Sequence, residues 1–180
     1  MPAGTLGFVV GASNVTFDLN GHTITCDGPP AALTRGVVSY GRSHFALANG
    51  RIRNCSYGFD STGNPALSRN VRIENVQFLD NSFRGIRLDA ANSEVLHNRI
   101  ENTIGPYSGR GNGLFAIGIE VTGPGNVVRN NTVLETQGGT GGEAVGISLS
   151  DLGAGSVVVN NIIRNDPAIY PTDEVYERLT

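Results

Sequence analysis

Three charged residues recur at equivalent positions of a repeated motif and could together act on an acidic ligand. Asp60, Arg87 and Glu120 each stand two residues after a glycine of that motif. Stacking of the repeats at about 4.8 Å would place the two carboxylates about 9.6 Å apart. That is the upper edge of the separation in inverting glycosidases, about 6.5–9.5 Å. An arginine between them suits bidentate binding of a uronate carboxylate. The trio therefore fits a catalytic pair, a ligand-binding groove, or an opposite-charge ladder that only supports the fold.

Five further residues are candidates for contacts with a substrate. Ser148 continues the same column, and Asp89 and Thr122 belong to a second column two residues further along each repeat. Tyr107 and Arg110 lie in one long connection, where the tyrosine ring could stack on a sugar. A tyrosine folded down onto the repeats fits the sequence equally well.

Six copies of a glycine-led motif must position these side chains. After the glycine, an apolar residue that points inward alternates with a residue that points outward. Successive copies begin 22 to 33 residues apart. The opening glycines are Gly7, Gly36, Gly58, Gly85, Gly118 and Gly146.

A second apolar pattern follows each opening glycine by 15 to 20 residues. Its anchors are Ile24, Ile52, Phe78, Ile100, Val133 and Ile163. Another apolar residue stands five residues before each anchor: Leu19, Leu47, Ile73, Val95, Val128 and Val158. A polar corner separates the two, and three residues before the anchors come Gly21, Asn49, Asn75, His97, Asn130 and Asn160. Asparagine and glycine tolerate the left-handed backbone that such corners need.

This double periodicity predicts an all-β chain folded as a parallel β-helix, a solenoid of about six coils. One coil cannot bury its inward face alone, whereas stacked coils bury a continuous column of like residues. Equivalent asparagines would then form a ladder of amides along the solenoid. Propeller blades need about 40–45 residues, and leucine-rich repeats need a leucine pattern that is missing.

Loop lengths indicate which face of the solenoid carries the site. The connections 25–35, 101–117 and 134–145 are long and all precede a glycine-led strand. An insertion at 61–70 leaves the other side of the same sheet. Loops on both sides of one sheet would form a groove above the charged column.

Composition excludes several classes of function. With 13 basic and 16 acidic residues the net charge is -3, which gives no basic surface for nucleic acid. Neither an apolar run of membrane-spanning length nor a signal peptide is visible. No cofactor is required by any motif, calcium binding has no aspartate cluster to support it, and no zinc or copper ligand spacing is present.

The two cysteines, Cys26 and Cys55, occupy the same corner of adjacent coils. They stand two and three residues after their anchors, so their α-carbons could fall within disulfide range, about 4.4–6.8 Å. A disulfide or two buried thiols both fit this spacing. A disulfide would favour a protein exported from the cytoplasm.

The segment 14–24, Asn-Val-Thr-Phe-Asp-Leu-Asn-Gly-His-Thr-Ile, resembles the opening coil of right-handed parallel β-helix proteins. The corners at 130–133 and 160–163 resemble their repeats as well. That group includes the pectate-lyase-like superfamily and the proteins related to the periplasmic copper-site maturation factor NosD. The resemblance implies a secreted, periplasmic or cell-surface protein that binds acidic polysaccharide or acts on it, as a lyase, hydrolase or epimerase would. The family's calcium-binding aspartates and basic catalytic residue have no clear match here, so a noncatalytic scaffold module of a larger protein remains the alternative.

The sequence indicates one domain over 1–180, with coils over about 7–165 and a C-terminal cap over 166–180. Thr172 is a suitable N-cap for a short helix that would cover the last coil. Nothing long enough to cap the first coil precedes Gly7. We therefore expect either a trimmed fragment or an open end that pairs with a partner or with another copy.

Overall fold

A computed structural model describes residues 4–27, 33–62, 68–105, 115–139, 142–149 and 154–164. Within these residues every element is a β-strand, and no helix long and apolar enough to cross a membrane is found. The strands are β1 (Leu6–Val9), β2 (Val15–Asp18), β3 (Thr23–Thr25), β4 (Arg35–Val38), β5 (Phe45–Arg53), β6 (Tyr57–Asp60), β7 (Ser68–Arg69), β8 (Arg72–Leu79), β9 (Arg84–Ala91), β10 (Glu94–Leu96), β11 (Arg99–Glu101), β12 (Ala116–Thr122), β13 (Val127–Arg129), β14 (Thr132–Leu134), β15 (Ala144–Leu149), β16 (Val157–Val159) and β17 (Ile162–Arg164).

The strands stack in parallel, one coil upon the next, as the repeat predicts. The first sheet has the order β1-β4-β6-β9-β12-β15, so the described residues contain six coils. The second sheet contains the remaining strands except β7. In this sheet β5 and β8 are long strands that continue through the polar corner, where the other coils have two shorter strands. The predicted all-β parallel β-helix is therefore confirmed. The predicted cap over 166–180 lies outside the described residues.

The repeat glycines exist because the first sheet lies directly against the anchor column of the second. A Cβ on Gly85 would lie 2.7 Å from Ile100 Cγ2, and one on Gly118 would lie 2.5 Å from Val133 Cγ1. Real Cβ atoms do not approach other atoms this closely. The predicted anchor column is confirmed by pairing of successive anchors from Ile24 to Ile163.

The polar corner adopts the left-handed backbone that its residues predict. The φ angles of Asn49, Asn75, His97, Asn130 and Asn160 lie between 54° and 59°. The next residue along each corner points inward in the later coils, where the predicted amide ladder forms. Its members are Asn98, Asn131 and Asn161, and each offers its side-chain oxygen to a backbone N–H of the preceding coil.

One member of the second apolar column is not the residue that the spacing predicts. Phe17, not Leu19, pairs with Leu47. The first coil needs two more residues than the others to round its corner, and Leu19 is buried there against Gly50. A Cβ on Gly50 would lie 2.3 Å from Leu19 Cβ, so the leucine occupies space that a side chain at Gly50 would need.

The two cysteines are joined in a disulfide between the first and second coils. Their α-carbons are 4.9 Å apart, and both side chains are buried. The pairing agrees with the shared corner that the sequence indicates.

Candidate functional site

The charged column lies on the first sheet in the predicted register. Asp60 pairs with Arg87, Arg87 with Glu120, and Glu120 with Ser148. In the second column, Asp89 pairs with Thr122. The backbone therefore brings the candidate residues onto one face of successive coils, which is the outward face of the first sheet.

Asp60 does not share a site with Arg87 at the level of side chains. Its carboxylate is fully buried, and Oδ2 accepts a hydrogen bond of 2.6 Å from Arg35 Nε. Oδ1 accepts the backbone N–H and the hydroxyl of Thr62, at 3.0 and 2.7 Å. Burial disfavours the charged form of Arg35, but the hydrogen bond and charge of Asp60 prevail and raise the pKa of that guanidinium. Both oxygens of Asp60 are thus occupied by the protein itself.

Glu120 holds two arginines with a single oxygen. Its Oε2 lies 2.9 Å from Arg84 Nε and 3.3 Å from Arg87 Nε. The terminal Nη1 of Arg84 donates to the carbonyls of Phe83 and Phe115. Arg84 is therefore fixed, whereas the Arg87 side chain keeps 37% of its surface exposed. The cluster of Arg84, Arg87 and Glu120 has a net charge of +1.

Arg35 and Arg84 were not candidates from the sequence, although both hold carboxylates of the charged column. They belong to a third outward column, formed by the residue before each repeat glycine and continued between them by Tyr57. If inward and outward residues alternated strictly from the apolar residue after each glycine, the residue before the glycine would point inward. The glycine itself also faces the core, so two consecutive residues face inward and the residue before the glycine points outward. Reading the residue that precedes each repeat glycine would have found them.

Asp89 carries a carboxylate oxygen without a protein partner. Its Oδ1 is buried and accepts no hydrogen bond within the part of the chain that the structure describes. Burial raises the pKa of Asp89, and the neighbouring Arg87 opposes part of that rise. A buried acceptor that the fold leaves unsatisfied costs stability.

We expect Asp89→Asn to raise the melting temperature at pH 7, by about 1–2 °C because the partly exposed group is screened by solvent. The pKa of Asp89 is higher in the folded protein than its ordinary value of 3.8. The contribution of Asp89 to the stability of the natural protein is therefore fully present below pH 3.8. It is lost as the pH rises through the pKa that Asp89 has in the folded protein. Thermal unfolding at pH 7 and pH 3.5 should show the gain only at pH 7. The exposed Asp27→Asn is the matched control, and equal effects of both variants would contradict the expectation.

Of the four remaining candidates, the structure describes two. Thr122 and Ser148 lie half-buried beside Asp89 and Glu120 on the outward face. Tyr107 and Arg110 lie outside the described residues. The groove walls predicted at 25–35, 61–70, 101–117 and 134–145 are described only in part.

Two aromatic rings beside the arginine column of the first sheet were not predicted from the sequence. Tyr57 and Phe83 are parallel within 2°, with ring centroids 5.7 Å apart. The guanidinium of Arg35 lies 5.1 Å from the Tyr57 centroid. Both rings are half-buried, so each presents part of its surface to solvent.

Within the described ranges, no group of three or more His, Cys, Asp or Glu residues could hold a metal ion. The arrangement on the outward face suits binding of an anion by Arg87, with Asp89 as a nearby acceptor.

Comparisons with known proteins identify the fold and leave the activity open. A family model described as "Right handed beta helix region" matches residues 7–174. No curated protein sequence matches the chain. Among solved structures, the Geobacillus virus E2 protein ORF18 is similar to this chain at 16% identity and a TM-score of 0.46, and the match covers 88% of this chain and 34% of that protein. The chain thus spans about a third of the length of ORF18.

Proposed function

This chain belongs to the right-handed β-helix family, and on that premise we propose that it binds acidic polysaccharide on the outward face of its first sheet. Arg87 contacts the carboxylate of a uronate unit, and Asp89 accepts a hydroxyl of the same or the adjacent unit. The face binds its ligand without cleaving it. The observation that carries this proposal is the partly exposed side chain of Arg87, whose Nε is paired with Glu120.

Arg87 is arranged to receive an anion. Only its Nε is engaged by Glu120, and its terminal nitrogens make no hydrogen bond to any described residue. Because Glu120 Oε2 serves both Arg84 and Arg87, one negative charge faces two positive charges. A ligand carboxylate would neutralise the excess charge and could form the two parallel bonds that a guanidinium favours.

Two contacts weigh against a catalytic pair formed by Asp60 and Glu120. The Asp60 carboxylate is buried, and Arg35 and Thr62 occupy both of its oxygens. Oε2 of Glu120 is engaged by Arg84 and Arg87, so the protein itself occupies this oxygen. A general acid or base must reach the reacting atoms, and Asp60 cannot do so without breaking the bond to Arg35.

The aromatic pair extends the proposed site along the solenoid. Tyr57 lies in register with Arg84, so its ring is one coil away from the arginine cluster. Sugar rings carry apolar C–H faces that pack well on aromatic side chains. A chain of uronate units running along the coils could therefore contact Arg87 and Tyr57 with successive units.

A location outside the cytoplasm is part of this proposal. The protein has two cysteines, and the structure joins both in one disulfide. Structural disulfides persist in oxidising compartments and are rare in the cytoplasm. Acidic polysaccharides are also found at cell surfaces and outside cells.

The test is calorimetric titration of a defined oligouronate into the natural protein, Arg87→Ala and Arg99→Ala. Arg99 is the matched control because it lies on the second sheet, is 45% exposed and pairs with Glu101 in a similar way. We expect Arg87→Ala to weaken binding at least about tenfold, since a charge-assisted bond contributes about 1.5–3 kcal/mol. Both variants should keep the natural melting temperature within about 2 °C.

Two outcomes would contradict the proposal. One is the absence of any ligand for the natural protein on an array of acidic glycans, and the other is an equal loss of affinity in both variants. The first outcome would favour a noncatalytic scaffold module of a larger protein. The observation that favours this second candidate is the Arg35–Asp60 pair, which commits charges of the outward face to the fold.

A further inference from the structure

The first coil is less firmly built into the solenoid than the second coil. Four of its inward side chains remain partly exposed, whereas their counterparts in the second coil are at most 1% exposed. The four are Phe8, Val15, Phe17 and Ile24, and their counterparts are Val37, Phe45, Leu47 and Ile52. The other inward side chains of the first coil, Val10, Leu19 and Cys26, are buried. Burial of apolar surface therefore stabilises the first coil less than its neighbour.

The side-chain ladders that tie later coils together also do not reach the first coil. The amide ladder begins at the N–H of Val76, which donates to Asn98. At the same corner the first two coils carry His22 and Gly50, and glycine has no side chain to offer. At the next corner the N–H of Cys55 donates to Asn81 in the third coil. The side-chain link of Cys55 to the first coil is the disulfide to Cys26.

We propose that the Cys26–Cys55 disulfide is a redox-controlled clasp, and that its reduction releases residues 4–27 as a unit while the later coils stay folded. The clasp holds the first coil at the corner where Cys55 is also joined to the third coil by a hydrogen bond to Asn81. With the bond broken, the first coil keeps its backbone pairing to β4 and β5, its apolar contacts, and the side-chain hydrogen bonds that Ser13 and Asp18 accept from Ser43 and Asn49.

The reaction is an exchange with a dithiol of the thioredoxin type or with a small dithiol reagent. One thiolate of the reductant attacks a sulfur of the disulfide and forms a mixed disulfide, and its second thiol then displaces the protein sulfur. Two electrons and two protons pass to the protein, which gains two thiols, while the reductant becomes a disulfide. Cys26 and Cys55 are 0% and 1% exposed, so attack requires that the first coil open at its edge. Reduction and release of the coil are therefore coupled.

Release of the first coil would uncover the edges of β4 and β5 and the apolar side chains beneath them. An uncovered strand edge with free N–H and C=O groups is a reactive surface. The oxidised protein keeps that edge paired, so the redox state sets whether the first coil covers β4 and β5.

Hydrogen exchange measured by mass spectrometry tests the clasp on the whole chain. The natural protein is compared with and without dithiothreitol, a small dithiol, beside a Cys26→Ser, Cys55→Ser double variant. On reduction we expect amides of 4–27 to exchange about a hundredfold faster, a factor typical of a bond that closes a loop of this size. Amides of 68–105 should exchange at an unchanged rate. The double variant should resemble the reduced protein with or without reductant.

Three results would overturn the clasp. The first is protection of 4–27 that persists after thiol titration shows complete reduction. The second is loss of protection in all described coils at once, since the disulfide would then hold the whole fold. The third is the detection of two free thiols in the unreduced protein, because no clasp would exist.

Discussion

Replacing Gly118 with valine should lower the free energy of unfolding by about 3–5 kcal/mol. Ordinary overpacking costs about 1–3 kcal/mol, but the new Cβ would lie 2.7 Å from the carbonyl oxygen of Gly146 as well as 2.5 Å from Val133 Cγ1. A side chain can turn away from such a clash, whereas a neighbouring backbone carbonyl cannot. The first sheet would have to move away from the anchor column, and the movement would affect the coils on both sides.

Urea unfolding followed by circular dichroism would measure this loss. Gly11→Ala is the matched control, because a Cβ at Gly11 has no atom within 4 Å. Its effect should stay within about 0.5 kcal/mol. Gly118→Ala should fall between the two, since even its single methyl group meets the carbonyl of Gly146. If Gly118→Val were as stable as Gly11→Ala, the contact between the two columns would not be the reason for the repeat glycines.

The columns themselves could be predicted from the sequence, but their contact with one another could not. Spacing alone places Gly118 in one column and Val133 in the other. How closely the two sheets approach depends on the size of the anchors around the whole coil, which no local pattern contains. The first coil shows the same limit: Leu19 fits the spacing, yet Phe17 takes the position because the corner at Asn20 and Gly21 is longer.

The candidate site could also be predicted only in part. The register of Asp60, Arg87 and Glu120 is predictable because strand spacing and repeat length fix the backbone. Side-chain partners are not, because arginine is long enough to reach a carboxylate on an adjacent coil in another column. Arg35 reaches Asp60 and Arg84 reaches Glu120 in this way. The alternation of side chains along a strand therefore predicts which charged residues share a face. Which of these residues stay available to a ligand depends on whether a long side chain from another column reaches them.

Asn131→Leu should cost about 2–6 kcal/mol, because it removes the centre of the buried amide ladder. Asn131 Oδ1 accepts the backbone N–H of Asn98 at 2.9 Å, and its Nδ2 donates to the carbonyl of Val95 at 2.9 Å. Leucine is similar in size but offers neither bond. Two buried backbone groups would be left unsatisfied, each at a cost of about 1–3 kcal/mol. The free energy of unfolding from a urea titration is again the measurement.

A surface asparagine of the same corner provides the control. Asn160 is exposed and has a φ of 56°, so Asn160→Ala loses only the preference of asparagine for the left-handed backbone, about 1 kcal/mol. An Asn131→Leu variant that loses no more than this would show that the ladder follows the fold without stabilising it.

Asn131→Asp separates the hydrogen bonds from the shape of the side chain, because the two residues are nearly the same size. The introduced carboxylate would point an oxygen at the carbonyl of Val95 and at Oδ1 of Asn161, where the natural amide donates at 2.9 and 3.0 Å. Burial and these acceptors favour the protonated form, so the pKa of the introduced group is higher in the folded state than in the unfolded chain. The variant is therefore closest to natural stability below the unfolded pKa, about 3.9, and loses stability as pH rises through the folded value. Unfolding at pH 3.5 and pH 7 should show a difference from the natural protein that grows with pH. A difference independent of pH would mean that the side chain at this corner reaches solvent, which is incompatible with a buried ladder.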